Sequence, residues 1–168
     1  MRFILILLMS YSLIYGGGLL EVEWPKQTKQ HQKSMKAYPK VLKDAIKDVR
    51  LPVYLPRGYI YDKSMSIISD ENFYAITIFL KGASLMITGD RTYQQKVKSG
   101  GEQLKTKMKT VDAKFIQAEG IMSTNFNRHG VNYSLSIECD SPNRDKRCRE
   151  DNFLKKLYSE LLLVGGKR

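Results

Sequence analysis

Two cysteines, Cys139 and Cys148, and two histidines, His31 and His129, carry most of the chemical capacity of this chain. The cysteines bracket the stretch CDSPNRDKRC (139–148), with eight residues between them. Redox catalysts favour a Cys-x-x-Cys spacing, which tunes the thiolate pKa, and this spacing does not match it. A zinc site needs two further ligands. Only His31 and His129 could add imidazoles, and they fall in an arm and a turn far from the pair. A structural disulfide is the preferred reading, ahead of free or regulatory thiols, because the export expected below permits the bond. Cys139 ends a strand-like run and Cys148 precedes a helix-like one, so a bond would fasten that helix to the strand it covers. Closing a loop of this size stabilises by about 2.7 kcal/mol in the chain-entropy model.

Other reactive patterns are weak. Nucleophile elbows, phosphate loops and HExxH are absent. KSGGEQ (98–103) has glycines without the Lys-Ser ending or strand context of a phosphate loop. Asp90 and Arg91 follow a strand and read as an ion-paired turn sooner than as a small polar site. His129 beside Arg128 could act as an acid–base group, although a lone turn histidine is commonly plain surface. The acidic residues of the β region do not pair in the manner of a glycosidase. Tyr54, Tyr59 and Tyr61 could show rings to a ligand, with packing over a sheet edge as the plainer use. No catalytic residue, metal or cofactor is expected.

The elements that must position these residues are legible from periodicity. Tyr38, Val41, Leu42, Ala45, Ile46 and Val49 follow helical spacing, with Lys40, Lys43, Asp44, Lys47 and Asp48 on the other side. Pro52 and Pro56 confine LPVYLPRGYI (51–60) to an edge or an extended crossover. Strand-like runs follow at 64–69, 73–80, 84–88 and 114–118, then two more are joined around Asn127-Arg128-His129-Gly130, with Gly130 supplying positive φ. FYAITIFL (73–80) is apolar on both alternating sets, which predicts a central strand covered on both faces. In 131–139, Val131, Tyr133, Leu135, Ile137 and Cys139 share one face. Phe153, Leu154, Leu157, Tyr158, Leu161 and Leu162 predict a closing helix, with Glu150 and Asp151 at its start and Gly165-Gly166 as its C-cap. The expected fold is α+β: a single antiparallel sheet of about six strands with an N-terminal and a C-terminal helix packed against it. This order resembles, in architecture alone, small secreted sandwich domains of the PsbP-like type; no motif is shared.

Residues 1–18 read as a secretory signal: Arg2, an apolar core from Phe3 to Tyr15, then Gly16 and Gly18 before the cleavage point. That core is shorter than the roughly 20 residues that cross a bilayer, so no stable transmembrane span is expected after cleavage. Residues 19–37 read as a flexible basic arm, and 38–168 as one domain with a mobile Lys-rich loop at about 93–113. Net charge is +11, unevenly placed. Trp24–Arg50 holds eight Lys/Arg against two Asp, and Tyr93–Lys114 holds six Lys against two acids. Lys40, Lys43 and Lys47, with Lys96, Lys98, Lys105, Lys107 and Lys109, are the expected partner-binding residues. Simple solvation of a helix face and a loop is the bland alternative. A periplasmic or secreted protein of this charge favours an envelope protein or anionic envelope surface as partner, and export argues against nucleic acid. The sequence thus predicts an exported, non-enzymatic binding protein. A secreted inhibitor or immunity-type protein is the first alternative, and a small hydrolase using His129 the second.

Overall fold

The computed structural model describes residues 17–27, 35–62, 64–94 and 113–168. The predicted signal core, His31, and Lys96, Lys98, Lys105, Lys107 and Lys109 lie outside them.

Six runs of alternating or β-branched sequence pair into one antiparallel sheet. They are β3 (Met65–Ser69), β4 (Phe73–Leu80), β5 (Ala83–Asp90), β7 (Lys114–Ala118), β8 (Ile121–Arg128) and β9 (Val131–Cys139). Their spatial order is β3-β4-β5-β9-β8-β7, so β9 inserts beside β5 and closes the second half of the sheet backwards. Turn chemistry sets the register. His129-Gly130 and Glu119-Gly120 both have two successive positive φ values, matching the right-handed twist of two-residue hairpins. Asp70 caps the β3–β4 turn, its Oδ1 accepting the Asn72 N–H at 2.6 Å.

The fold is mixed α and β as expected, but the sheet is not alone. Residues β2 (Val53–Pro56) and β10 (Leu161–Gly165) form a second antiparallel pair, and β1 (Gly17–Leu19) pairs with β6 (Thr92–Gln94). The helices are few and short: α1 (Lys40–Ile46), α2 (Lys146–Arg149) and α3 (Asn152–Ser159), with a 3-10 turn at Arg57–Tyr59. None of the described helices is long and apolar enough to cross a membrane.

The expectation for the C-terminus is corrected here. The predicted helix stops at Ser159, and Leu161–Gly165 crosses to β2, with Leu162 opposite Leu55 and Leu163 opposite Tyr54. All four residues of β2 are buried, as are Leu161, Leu163 and Val164. A short apolar run enclosed in this way needs its backbone groups paired, and each of these two segments satisfies the other. Nor do the final glycines cap a helix. Gly165 ends β10, and a Cβ there would lie 2.4 Å from Ile46 Cδ1; one on Gly166, at φ +106°, would lie 2.2 Å from the Leu51 carbonyl oxygen.

The reading of 73–80 is corrected too. The β4 strand is second from one edge, and only Tyr74, Ile76 and Ile78 are buried; Phe79 on the other face is 57% exposed. One face of the large sheet therefore carries the core, joined by Leu85, Ile87, Tyr133, Leu135 and Ile137, with Leu42, Ile46, Leu154 and Leu157 packed in from α1 and α3. The strict alternation expected in β9 is present. Val41 is the odd member of the α1 stripe, 52% exposed.

Of the arm at 19–37, the first residues run along this body. Leu20 N–H donates to the Arg91 carbonyl at 2.7 Å, and Glu23 N–H to that of His129 at 3.0 Å. Trp24 lies beneath the Arg168 guanidinium, 6.0 Å from its carbon.

Candidate functional site

Cys139 and Cys148 are bonded, with their Cα atoms 6.3 Å apart. The bond joins the end of β9 to α2, immediately before α3, where both sulfur-bearing residues are buried. The intervening chain is held a second time. Asp145 caps α2 by accepting the Arg147 N–H at 2.9 Å, and Arg147 Nη2 donates to the Lys81 carbonyl at 3.0 Å on the β4–β5 turn. Hydrogen bonds from Arg147 hold the Asp145 carboxyl below the usual carboxylate range. The pair is a structural clip.

The other notable cluster assembles where the inward row of β8 runs out. Met122, Thr124, Phe126 and Arg128 occupy that row by strand alternation, so an arginine follows three buried side chains. Its guanidinium carbon lies 5.0 Å from the centre of the Tyr54 ring, 5.4 Å from Phe126 and 5.5 Å from Tyr158. Three elements, β2, β8 and α3, each contribute one face to this cage. A cation over aromatic faces gains about 0.5–1 kcal/mol per contact when exposed and more when desolvated. The rings continue beyond it in edge and stacked contacts: Phe115 to Tyr158, Tyr158 to Phe126, Phe126 to Tyr133, Tyr133 to Tyr54, and Tyr54 to His129.

Backbone partners fix the deepest rings. The Tyr133 hydroxyl donates to the Pro52 carbonyl at 2.8 Å, and the Tyr74 hydroxyl accepts the Tyr54 N–H at 3.1 Å. Burial raises the pKa of Tyr54, Tyr74 and Tyr133, so all three hydroxyls stay neutral. Gly89 makes room for two of them. It lies opposite Tyr74 on one side and Tyr133 on the other, and a Cβ there would come within 2.4 Å of the Tyr74 ring and 2.9 Å of the Tyr133 ring.

Comparison with family models, with curated proteins and with solved structures returns no match to this chain. The site is therefore read from its own geometry.

His129 is placed at the hairpin tip with φ +56°, its ring stacked on Tyr54 at 6.3 Å. Burial, then the Arg128 charge, lowers its pKa, with Glu23 acting in the opposite direction. No carboxylate lies within ion-pair distance of the imidazole among the described residues. Asp90 and Arg91 do not pair with each other as the sequence led us to expect. Asp90 Oδ1 accepts the Thr92 N–H and hydroxyl at 2.6 and 2.7 Å, while Arg91 Nη1 donates to the Arg50 carbonyl at 2.9 Å. Among the described residues no group of three or more His, Cys, Asp or Glu is placed to hold a metal ion.

Lys40 and Lys43 on α1 and Lys47 at its C-cap are exposed, spaced so that they share one side with Asp44. None takes part in an ion pair among the described residues, and the only hydrogen bond shown for these ammonium groups runs from Lys43 to the Lys36 carbonyl at 3.0 Å. Of the tyrosines near the prolines, Tyr54 is buried, whereas Tyr61 is 59% exposed and meets Tyr38 edge-on at 5.8 Å. Arg128 is the residue sequence reasoning passed over, naming it only as the neighbour of His129. A charge at an inward position of an alternating strand was the available signal.

Proposed function

We propose that this chain is an exported, non-enzymatic binding protein whose basic surface engages an anionic partner in the cell envelope. The observation that carries this reading is the side of α1 and its C-cap where Lys40, Lys43 and Lys47 stand exposed, in no ion pair among the described residues. These ammonium groups share that side with Asp44 and Asp48, yet none is ion-paired among the described residues, and such charges steer association with anionic faces. The lysines of the 93–113 segment extend the same excess in the sequence. The disulfide supports an oxidising compartment, since such bonds form and persist outside the cytosol.

The test is recovery of partners from envelope extract by the immobilised chain, compared with two variants. One carries Lys40→Glu, Lys43→Glu and Lys47→Glu; the other reverses Lys96, Lys98, Lys105, Lys107 and Lys109. Loss of the same partner with the first variant is the expected result. Undiminished recovery by both variants refutes the basic-surface reading. Capture of one hydrolase in stoichiometric amount, with loss of that enzyme's activity, would transfer the protein to the inhibitor class.

A further inference from the structure

The Arg128 cage is independent of the α1 lysines and carries an inference of its own. A guanidinium has five N–H donors in a planar fork that matches an oxyanion. Here its central carbon lies over the rings of Tyr54, Phe126 and Tyr158. None of the ion pairs among the described residues includes Arg128. Among the described residues its charge acts on Tyr54, Tyr74, His129 and Tyr133, with a side-chain hydrogen bond to Tyr54 as well. Each of those four groups is neutral at neutral pH. Lys155 lies over Phe115, whose ring meets Tyr158, and is paired with Asp151 at 2.7 Å.

Burying even part of an arginine without an anion has a cost, and aromatic contacts offset some of it. They also do something else: they hold the fork in one orientation, so little rotamer freedom remains to be lost when an anion arrives. The surroundings leave an approach. Arg128, His129 and Tyr158 are each partly exposed, whereas Tyr54 and Phe126 behind them are buried. We propose that Arg128 is a receiving site for an oxyanion group, carboxylate or phosphate, which its caged guanidinium would grip at the margin of the aromatic core. The Tyr158 side chain, partly exposed beside it, would form one wall for the rest of the ligand.

The experiment follows the Arg128 Nε–H resonance of the full chain while inorganic phosphate, acetate or chloride is added at constant ionic strength. A saturable shift with phosphate alone assigns a tetrahedral anion, one with acetate alone a carboxylate, and either is the expected result. In Arg128→Lys, which retains the charge and loses the fork, affinity is expected to fall by about 10-fold or more. The triple variant at Lys40, Lys43 and Lys47 is expected to bind as the wild type does, which separates this site from the basic-surface proposal. No saturable shift, an equal response to chloride, or full binding by Arg128→Lys overturns the inference. Should Arg128→Lys fail to fold, the wild-type titration against chloride decides alone.

Discussion

Single side chains set the aromatic end of the core, and two of them make sharp predictions. Gly89 has no room for a methyl group because the Tyr74 and Tyr133 rings close over it. Gly89→Ala is expected to destabilise by roughly 1–3 kcal/mol, the usual range for overpacking. Gly58→Ala, with nothing within 4 Å of the new atom, serves as control in the same denaturant series and should change little. His129 predicts a pH effect. Its pKa is lowered in the folded chain, chiefly by burial and then by Arg128, so the unfolded chain binds this proton at higher pH than the native one. The stability it contributes is present above the ordinary histidine pKa and is lost as pH falls through the folded value. Denaturation midpoints between about pH 7.5 and pH 5 should therefore fall more for the wild type than for His129→Asn, a substitution that suits the left-handed turn. Equal slopes would show that the imidazole titrates alike in both states.

Elements are held here by fastenings as much as by their own propensity. Removing the clip with Cys139→Ala and Cys148→Ala is expected to cost about 2.7 kcal/mol, measured by chemical denaturation under oxidising conditions. The Asp145–Arg147 fork and the bond from Arg147 to Lys81 remain in that variant and should keep α2 in place. The other fastening is β10 on β2. Its end is specified by Gly166, whose φ of +106° and closeness to the Leu51 carbonyl leave no place for a side chain. Gly166→Ala should destabilise by more than about 1 kcal/mol. Were the last residues a helix with a frayed cap, as the apolar stripe alone implies, that substitution would be nearly silent. Helix and strand readings of Leu161–Val164 differ in the sequence only by local preference, and partner geometry outweighs preference of that size.

At the scale of the molecule the excess of lysine and arginine is the property with consequences. Binding that rests on the exposed lysines of α1 should weaken as salt rises from about 50 mM to 500 mM, because the screening length falls several-fold over that range. Recovery that is insensitive to salt would point to an apolar contact in their place. The six strands of the large sheet, the joint at Gly130, the first helix and the disulfide were all legible beforehand. Alternation of side chains, helical spacing and the pattern of glycines are local signals, and each of these features is decided within a few residues. Strand order was not local. The placing of β9 beside β5, the exposure of Phe79, and the pairing of Leu161–Gly165 with Val53–Pro56 depend on what packs where once the whole chain has folded. The Arg128 cage belongs with these. Tyr54, Phe126, Arg128 and Tyr158 come from three elements spread across the chain, and no spacing rule joins them. Sequence alone determined the six strands of the large sheet and that two thiols would bond; only the tertiary structure decided that Leu161–Gly165 is a strand and which rings surround Arg128, since pairing and caging are contacts between residues distant along the chain.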